Sequence, residues 1–241
     1  MRRYDGTGHD DHRLQGTDPV VLANWITDFD AHLGMTGTAR GYQLAADAVY
    51  RNLQTLLGPP APGRNIFVTG HSLGGALAVL IAHRLTADGY DVRAVYTYGM
   101  PRPGDPNFAG VCNNGVGQRT YRLVHGDDLV PTVAPSALNF RHVGRYLHCP
   151  RGGKFAGQPL AAGASDDPQF TQGVSKELAG FLHGPVTALL SPFARVKLAL
   201  ALAFGRGPAG MRTDPGGISI ELLPPRLRDH MPDRYIASCT S

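Results

Sequence analysis

Residues 65–75 read Asn65-Ile66-Phe67-Val68-Thr69-Gly70-His71-Ser72-Leu73-Gly74-Gly75, and no other stretch limits the fold so tightly. A β-branched and aromatic run, read as a strand over 65–69, passes directly into Gly-x-Ser-x-Gly and then into an apolar helical run over 76–87 that stops near Gly89. A strand that becomes a helix within so few residues must bend sharply enough to strain the backbone at its apex. Side chains two residues to either side of that apex would collide. Gly70 and Gly74 remove the collision. Such a turn lifts the Ser72 hydroxyl clear of a sheet and aims the positive end of the following helix, with the Leu73 N–H, at any oxyanion that develops beside it. A Gly-Ser-Gly turn without chemistry is the alternative; the strand–turn–helix context argues against it.

The rest of the chain supplies the layers this turn needs. Asp18 and Pro19 suit a helix start, and Val21, Trp25 and Phe29 recur every four residues as an apolar face over 18–29. A second helix is expected over 42–57, ended by Gly58-Pro59-Pro60-Ala61-Pro62-Gly63. Further strands are read over 92–98 and 120–124. Strands alternating with helices argue for an α/β domain with a mostly parallel central sheet flanked by helices. The 241 residues fit one such domain, and 31 glycines with 19 prolines call for many turns between short elements. After about Pro150 the chain turns glycine-rich, and residues 150–228 read as a long loop and helical insertion. Its apolar part, 174–204, is broken by Gly184-Pro185 and Pro192 and is expected as one or two amphipathic helices packed on the body.

Composition removes several function classes. The net charge of +4 comes from scattered arginines without a basic run, so nucleic acid is not an expected partner. No 18-residue uncharged apolar stretch is present to cross a membrane, and no apolar segment follows Arg2-Arg3 as a secretory signal would require. Three cysteines, Cys112, Cys149 and Cys239, exclude a disulfide framework while allowing one bridge. His142, His148 and Cys149 lack a second ligand pair, and no metal or organic cofactor is expected.

A serine hydroxyl attacks only when a base takes its proton, and the base needs an orienting acid. Asp127 and Asp128 follow directly on the 120–124 strand, and the C-terminal ends of strands are where α/β sheets gather their sites. A solvated Asp-Asp turn is the competing reading. Four histidines follow, His142, His148, His183 and His230, and spacing does not choose among them.

The segments Gln15-Gly16-Thr17 with Asn24-Trp25-Ile26-Thr27-Asp28, Gly70-His71-Ser72-Leu73-Gly74-Gly75, Thr97-Tyr98-Gly99-Met100-Pro101-Arg102-Pro103-Gly104, Tyr121-Arg122 with Asp128-Leu129-Val130-Pro131, and His142-Val143-Gly144 resemble, in order, the motifs of the class 3 lipases. These are the fungal-lipase-like α/β-hydrolases. The likeness spans residues 13–146 and resumes at Asp229-His230 and Tyr235. It implies an α/β-hydrolase fold and hydrolysis of carboxylic esters of acyl lipids, triacylglycerol lipase-like, at a lipid–water interface. The family nucleophile falls on Ser72, its acid on Asp128 rather than Asp127, and its base on His230, with His142 the runner-up. Oxyanion donors fall on the Thr17 and Leu73 N–H groups, and the 18–29 helix, with Val21, Trp25 and Phe29, matches the family's lid and acyl-binding surface. An ordinary helix with a core-facing stripe is the alternative for that segment.

The chain also departs from the family. Glutamine (Gln15) stands where the family has arginine, and Ala39-Arg40-Gly41-Tyr42 replaces its H-x-G-[FY]. The sequence starts almost at the oxyanion motif, so the sheet is expected to lack N-terminal strands and the native protein to be longer, which leaves secretion open. Phospholipase A1 or short-chain carboxylesterase activity would use the same catalytic residues. A binding protein that keeps the fold without the activity is the alternative from another class.

Overall fold

The computed structural model describes residues 13–14, 37–38, 40–128, 130–132, 139–155 and 228–240. Its centre is a five-stranded sheet: β1 (Arg13–Leu14), β2 (Asn65–His71), β3 (Asp91–Tyr98), β4 (Thr120–His125) and β5 (Arg145–Cys149). Strand order follows the chain, β1-β2-β3-β4-β5, and every pairing is parallel. Parallel neighbours taken in sequence require crossovers of one hand, which put the intervening helices on one face. Accordingly α1 (Arg40–Leu57), between β1 and β2, packs on α2 (Leu73–Ala87), and α2 packs on α3 (Pro106–Gly115).

The central helix is α2, whose sequence is apolar on every side. Residues Gly74 to Ala82 and Leu85 are all buried, as a helix sandwiched between the sheet and α1 demands. Its small residues set the approach distance. A Cβ on Gly75 would come 3.0 Å from the Met100 Cβ. Burying Leu77, Leu80, Ile81 and Leu85 removes four large side chains from water, each worth roughly 1.5–3 kcal/mol. By contrast, α1 is amphipathic: Tyr42, Ala46, Tyr50 and Leu57 face the core while Leu44 and Leu56 stay exposed. It ends at Gly58, whose φ of +66° closes the last turn. Arg64 and the Tyr90 hydroxyl take up the Leu57 and Gly58 carbonyls.

The strand–helix alternation and the parallel sheet agree with the α/β-hydrolase expectation. Four strands and helices escaped sequence reading, the two-residue β1 in a polar stretch among them. In β5, Arg145-Tyr146-Leu147-His148-Cys149 carries too many polar residues to read as a buried strand. The α3 helix starts Pro106-Asn107, with Asp105 accepting the Phe108 N–H at 2.8 Å, and its glycines and asparagines hide its period. The last helix, α4 (Pro232–Cys239), is short. Of the expected 150–228 insertion, residues 156–227 lie outside the described residues, as do the 18–29 helix and the apolar stretch 174–204. No helix among the described residues is long and apolar enough to cross a membrane.

Candidate active site

The β2–α2 turn is as sharp as its glycines require. Ser72 sits at φ 56°, ψ −129°, a conformation disfavoured for any L-residue other than glycine, and its side chain is fully buried. Its N–H donates to the Tyr98 carbonyl at 2.8 Å, and its carbonyl accepts the Gly75 N–H at 2.9 Å. Any Cβ on Gly70 would stand 2.1 Å from the Gly74 carbonyl oxygen, inside backbone that cannot yield. The Leu73 N–H opens α2, where the first-turn amides have no intrahelical acceptor.

Two strands along, β4 ends in the turn His125-Gly126-Asp127-Asp128. Asp128 is fully buried and its carboxylate gathers three donors. The Val130 N–H reaches Oδ1 at 2.9 Å, while the Tyr235 hydroxyl at 2.6 Å and His230 Nδ1 at 2.7 Å share Oδ2. A carboxylate only accepts, so Nδ1 of His230 carries the proton and Nε2 of the neutral ring presents a lone pair. Among the described residues, neither that buried Nε2 nor the buried Ser72 Oγ finds a hydrogen-bond partner.

Neighbouring groups hold the ring. His71 Nε2 donates to the His230 carbonyl at 2.7 Å, and the two ring centroids lie 4.5 Å apart. Burial, joined by the His230 charge, lowers His71 from 6.5 to about 4, so it stays neutral beside His230. Gly99, at φ +59°, lets the backbone pass: a Cβ there would come 2.5 Å from Asp128 Oδ2 and 2.7 Å from the His230 ring. Burial, reinforced by the Asp128 charge, raises the Tyr235 hydroxyl well above its ordinary value, so it remains a donor to Asp128.

Of the paired aspartates, Asp128 meets a histidine, whereas the Asp127 side chain is 64% exposed. Among the histidines, His230 is the one on Asp128. His142 is buried elsewhere, its charged form disfavoured by burial and then by Arg122 and Arg102. His148 Nε2 lies 2.8 Å from the Gly126 carbonyl, and His183 lies outside the described residues. Thr17, Val21, Trp25 and Phe29 are outside them too. Sequence reasoning gave no role to Tyr235, Asp229, His71 or Gly99, which contact or adjoin Asp128 and His230. The Asp229-His230-x4-Tyr235 spacing was the available signal.

Comparison with known proteins places the chain by family and by fold. The family model described as Lipase (class 3) matches residues 14–138. Secreted mono- and diacylglycerol lipase 1 of Fusarium solani is 36% identical over 132 residues, 51% of this chain and 39% of that protein. A lipase of Rhizomucor miehei is 42% identical over 88 residues, 34% of this chain and 24% of its own. Among solved structures, the mono- and diacylglycerol lipase from Aspergillus oryzae superposes with a TM-score of 0.52 at 26% identity, covering 64% of this chain and 60% of the other. A triacylglycerol lipase described as having a serine protease triad at its catalytic centre gives a TM-score of 0.50 at 25% identity, covering 64% of this chain and 62% of its own. The chain therefore spans less than two thirds of the length of each of these relatives. With the family model matched over more than half of its residues, and with the fold of the solved lipases, the chain belongs to the class 3 lipase family.

Proposed function

We propose that this chain is a serine hydrolase that cleaves carboxylic esters of lipids. The observation that carries the reading is the buried 2.7 Å contact between Asp128 and His230, whose remote nitrogen is unpartnered in the same locality as the strained Ser72 turn. In this reading Ser72 Oγ attacks the ester carbonyl while His230 Nε2 takes its proton. Asp128 fixes the imidazole tautomer and steadies the imidazolium. The tetrahedral oxyanion receives the Leu73 N–H and, from the chain three residues beyond Leu14, the Thr17 N–H. The register favours that second donor, since Leu14 pairs with Gly70, two residues before Ser72. His230 then protonates the leaving alcohol, and water, activated by the same nitrogen, releases the fatty acid from the acyl-enzyme.

The relatives named mono- and diacylglycerol lipases favour acylglycerols as substrate, and those named secreted favour an extracellular lipid–water interface. The 18–29 segment, which lies outside the described residues, keeps its expected role as lid and acyl-binding surface through Val21, Trp25 and Phe29, since exposing apolar side chains costs less at a lipid surface than in water. Residues 1–241 are taken as one hydrolase domain with 150–228 as its insertion.

A fluorophosphonate probe should label Ser72, and Ser72→Ala should lose labelling together with about six orders of magnitude in kcat, roughly 8 kcal/mol. Near-wild-type ester hydrolysis by Ser72→Ala would overturn the assignment. Profiling acyl chain length and headgroup separates acylglycerol lipase from phospholipase A1 and short-chain esterase activity.

A further inference from the structure

Directly beneath the acid–base pair lies a second one-residue rung. Asp128 meets His230; one residue earlier on each segment, the Asp127 N–H donates to Asp229 Oδ2 at 2.9 Å. The Asp229 side chain is only 4% exposed, and Arg151, two residues past β5, grips it side-on. Nε reaches Oδ1 at 2.9 Å and Nη2 reaches Oδ2 at 2.5 Å, while the same Nη2 stands 3.4 Å from Asp127 Oδ2. His125 Nδ1 lies 3.9 Å from Asp229 Oδ1. The turn is shaped around this carboxylate: Gly126 has φ +57°, and a Cβ there would fall 2.5 Å from Asp229 Oδ2. Burial pushes the Asp229 carboxyl up, but the bonds from Arg151 and the Asp127 N–H outweigh it and hold the group below its ordinary value.

We infer that Arg151 and Asp229 form a clamp that positions His230 against Asp128. The inference rests on the proposed function of that pair. His230 arrives on a segment more than a hundred residues beyond Asp128, and among the described residues no strand pairing joins the two segments to set the distance. One peptide unit separates Asp229 from His230, so fixing the Asp229 carboxylate on the β4 turn and on Arg151 fixes the His230 backbone within a Cα step of about 3.8 Å. Arg151 itself is 54% exposed and is not among the groups bonded to Asp128, His230 or Ser72, which makes it a positioning residue. A bidentate guanidinium suits the task because it restrains the carboxylate in orientation as well as in distance.

The test uses the whole chain with Arg151→Met and Arg151→Lys, p-nitrophenyl butyrate as a soluble ester, active-site titration with a fluorophosphonate, and thermal melting. Arg151→Met should lower kcat by about 10- to 100-fold per titrated site, the scale of a misplaced catalytic group, with KM within about twofold. Arg151→Lys, which keeps the charge and one bond, should recover part of the loss. The downfield proton-NMR signal of the His230 Nδ1 proton should be sharp in the parent chain and broadened in Arg151→Met. The clamp is overturned by a per-site kcat within twofold of the parent, by Lys behaving no better than Met, or by a signal that does not broaden. A parent chain that neither labels nor hydrolyses overturns the proposed function instead, and the NMR comparison still decides the clamp.

Discussion

Lowering the pH from 8 to 4 should destabilise this protein through His71 in particular, by an amount the site geometry sets. In the unfolded chain the ring takes a proton near 6.5, while in the folded protein burial and the His230 charge hold it to about 4. A histidine with a depressed folded value favours the folded state fully above 6.5 and loses that advantage as pH falls toward 4, below which the loss is constant. Linkage gives a cost of about 1 kcal/mol at pH 6, about 2 kcal/mol at pH 5 and about 3 kcal/mol at pH 4. Against a total stability of roughly 5–15 kcal/mol, this should shift a urea midpoint visibly. The partner variant is His71→Gln, whose amide can still donate to the His230 carbonyl but does not titrate. Its stability at pH 8 can sit below the parent's by the worth of an altered hydrogen bond, so the slope between pH 6.5 and 4.5 is the readout. His142, also buried and depressed, and Asp229 act in both chains and cancel in the difference. Should His71→Gln lose stability over that window as steeply as the parent, His71 would not be the neutral buried ring described here.

Two further substitutions probe the same site. Gly99→Ala places a methyl 2.5 Å from Asp128 Oδ2 at a φ of +59°, so hydrolysis should fall at least about 100-fold and the melting temperature by several degrees; retention of more than a tenth of the activity would contradict the close approach. Tyr235→Phe removes a 2.6 Å donor from Asp128 and the acceptor for the His125 N–H, so urea denaturation should show a loss of about 2 kcal/mol and kcat should drop about tenfold, while no change in either would refute the role of the hydroxyl.

The parts of the site legible in sequence are those whose cause is local. The β2–α2 turn is written in consecutive residues because its sterics act over five positions, where a Cβ on Gly70 would run into the Gly74 carbonyl. Their place after a strand singled out Asp127 and Asp128, the resemblance favoured Asp128, and the turn exposes the Asp127 side chain while burying Asp128 among three donors. His230 stood out among the histidines only through family resemblance, since no period or spacing links position 230 to position 128. The contacts of Arg151 and Tyr235 were illegible for the same reason. Each acts across a gap of 78 to 107 residues, and a lone arginine or tyrosine carries no mark of what it will touch. The strand β5 was missed because its face toward the turn is polar, with His148 serving the Gly126 carbonyl instead of packing.

The two ends of the long interval between β5 and His230 are fastened to each other. Arg151 holds Asp229, the Phe155 N–H donates to the Ser238 carbonyl at 2.9 Å, and Lys154 bonds the carbonyls of Ala237 and Thr240. Chain entering the interval therefore leaves from beside the place where it returns, and the entropy of bringing those ends together is met by contacts outside the interval. The place of His230 beside Asp128 is therefore anchored by contacts that lie on either side of the interval, between residues 151–155 and 229–240.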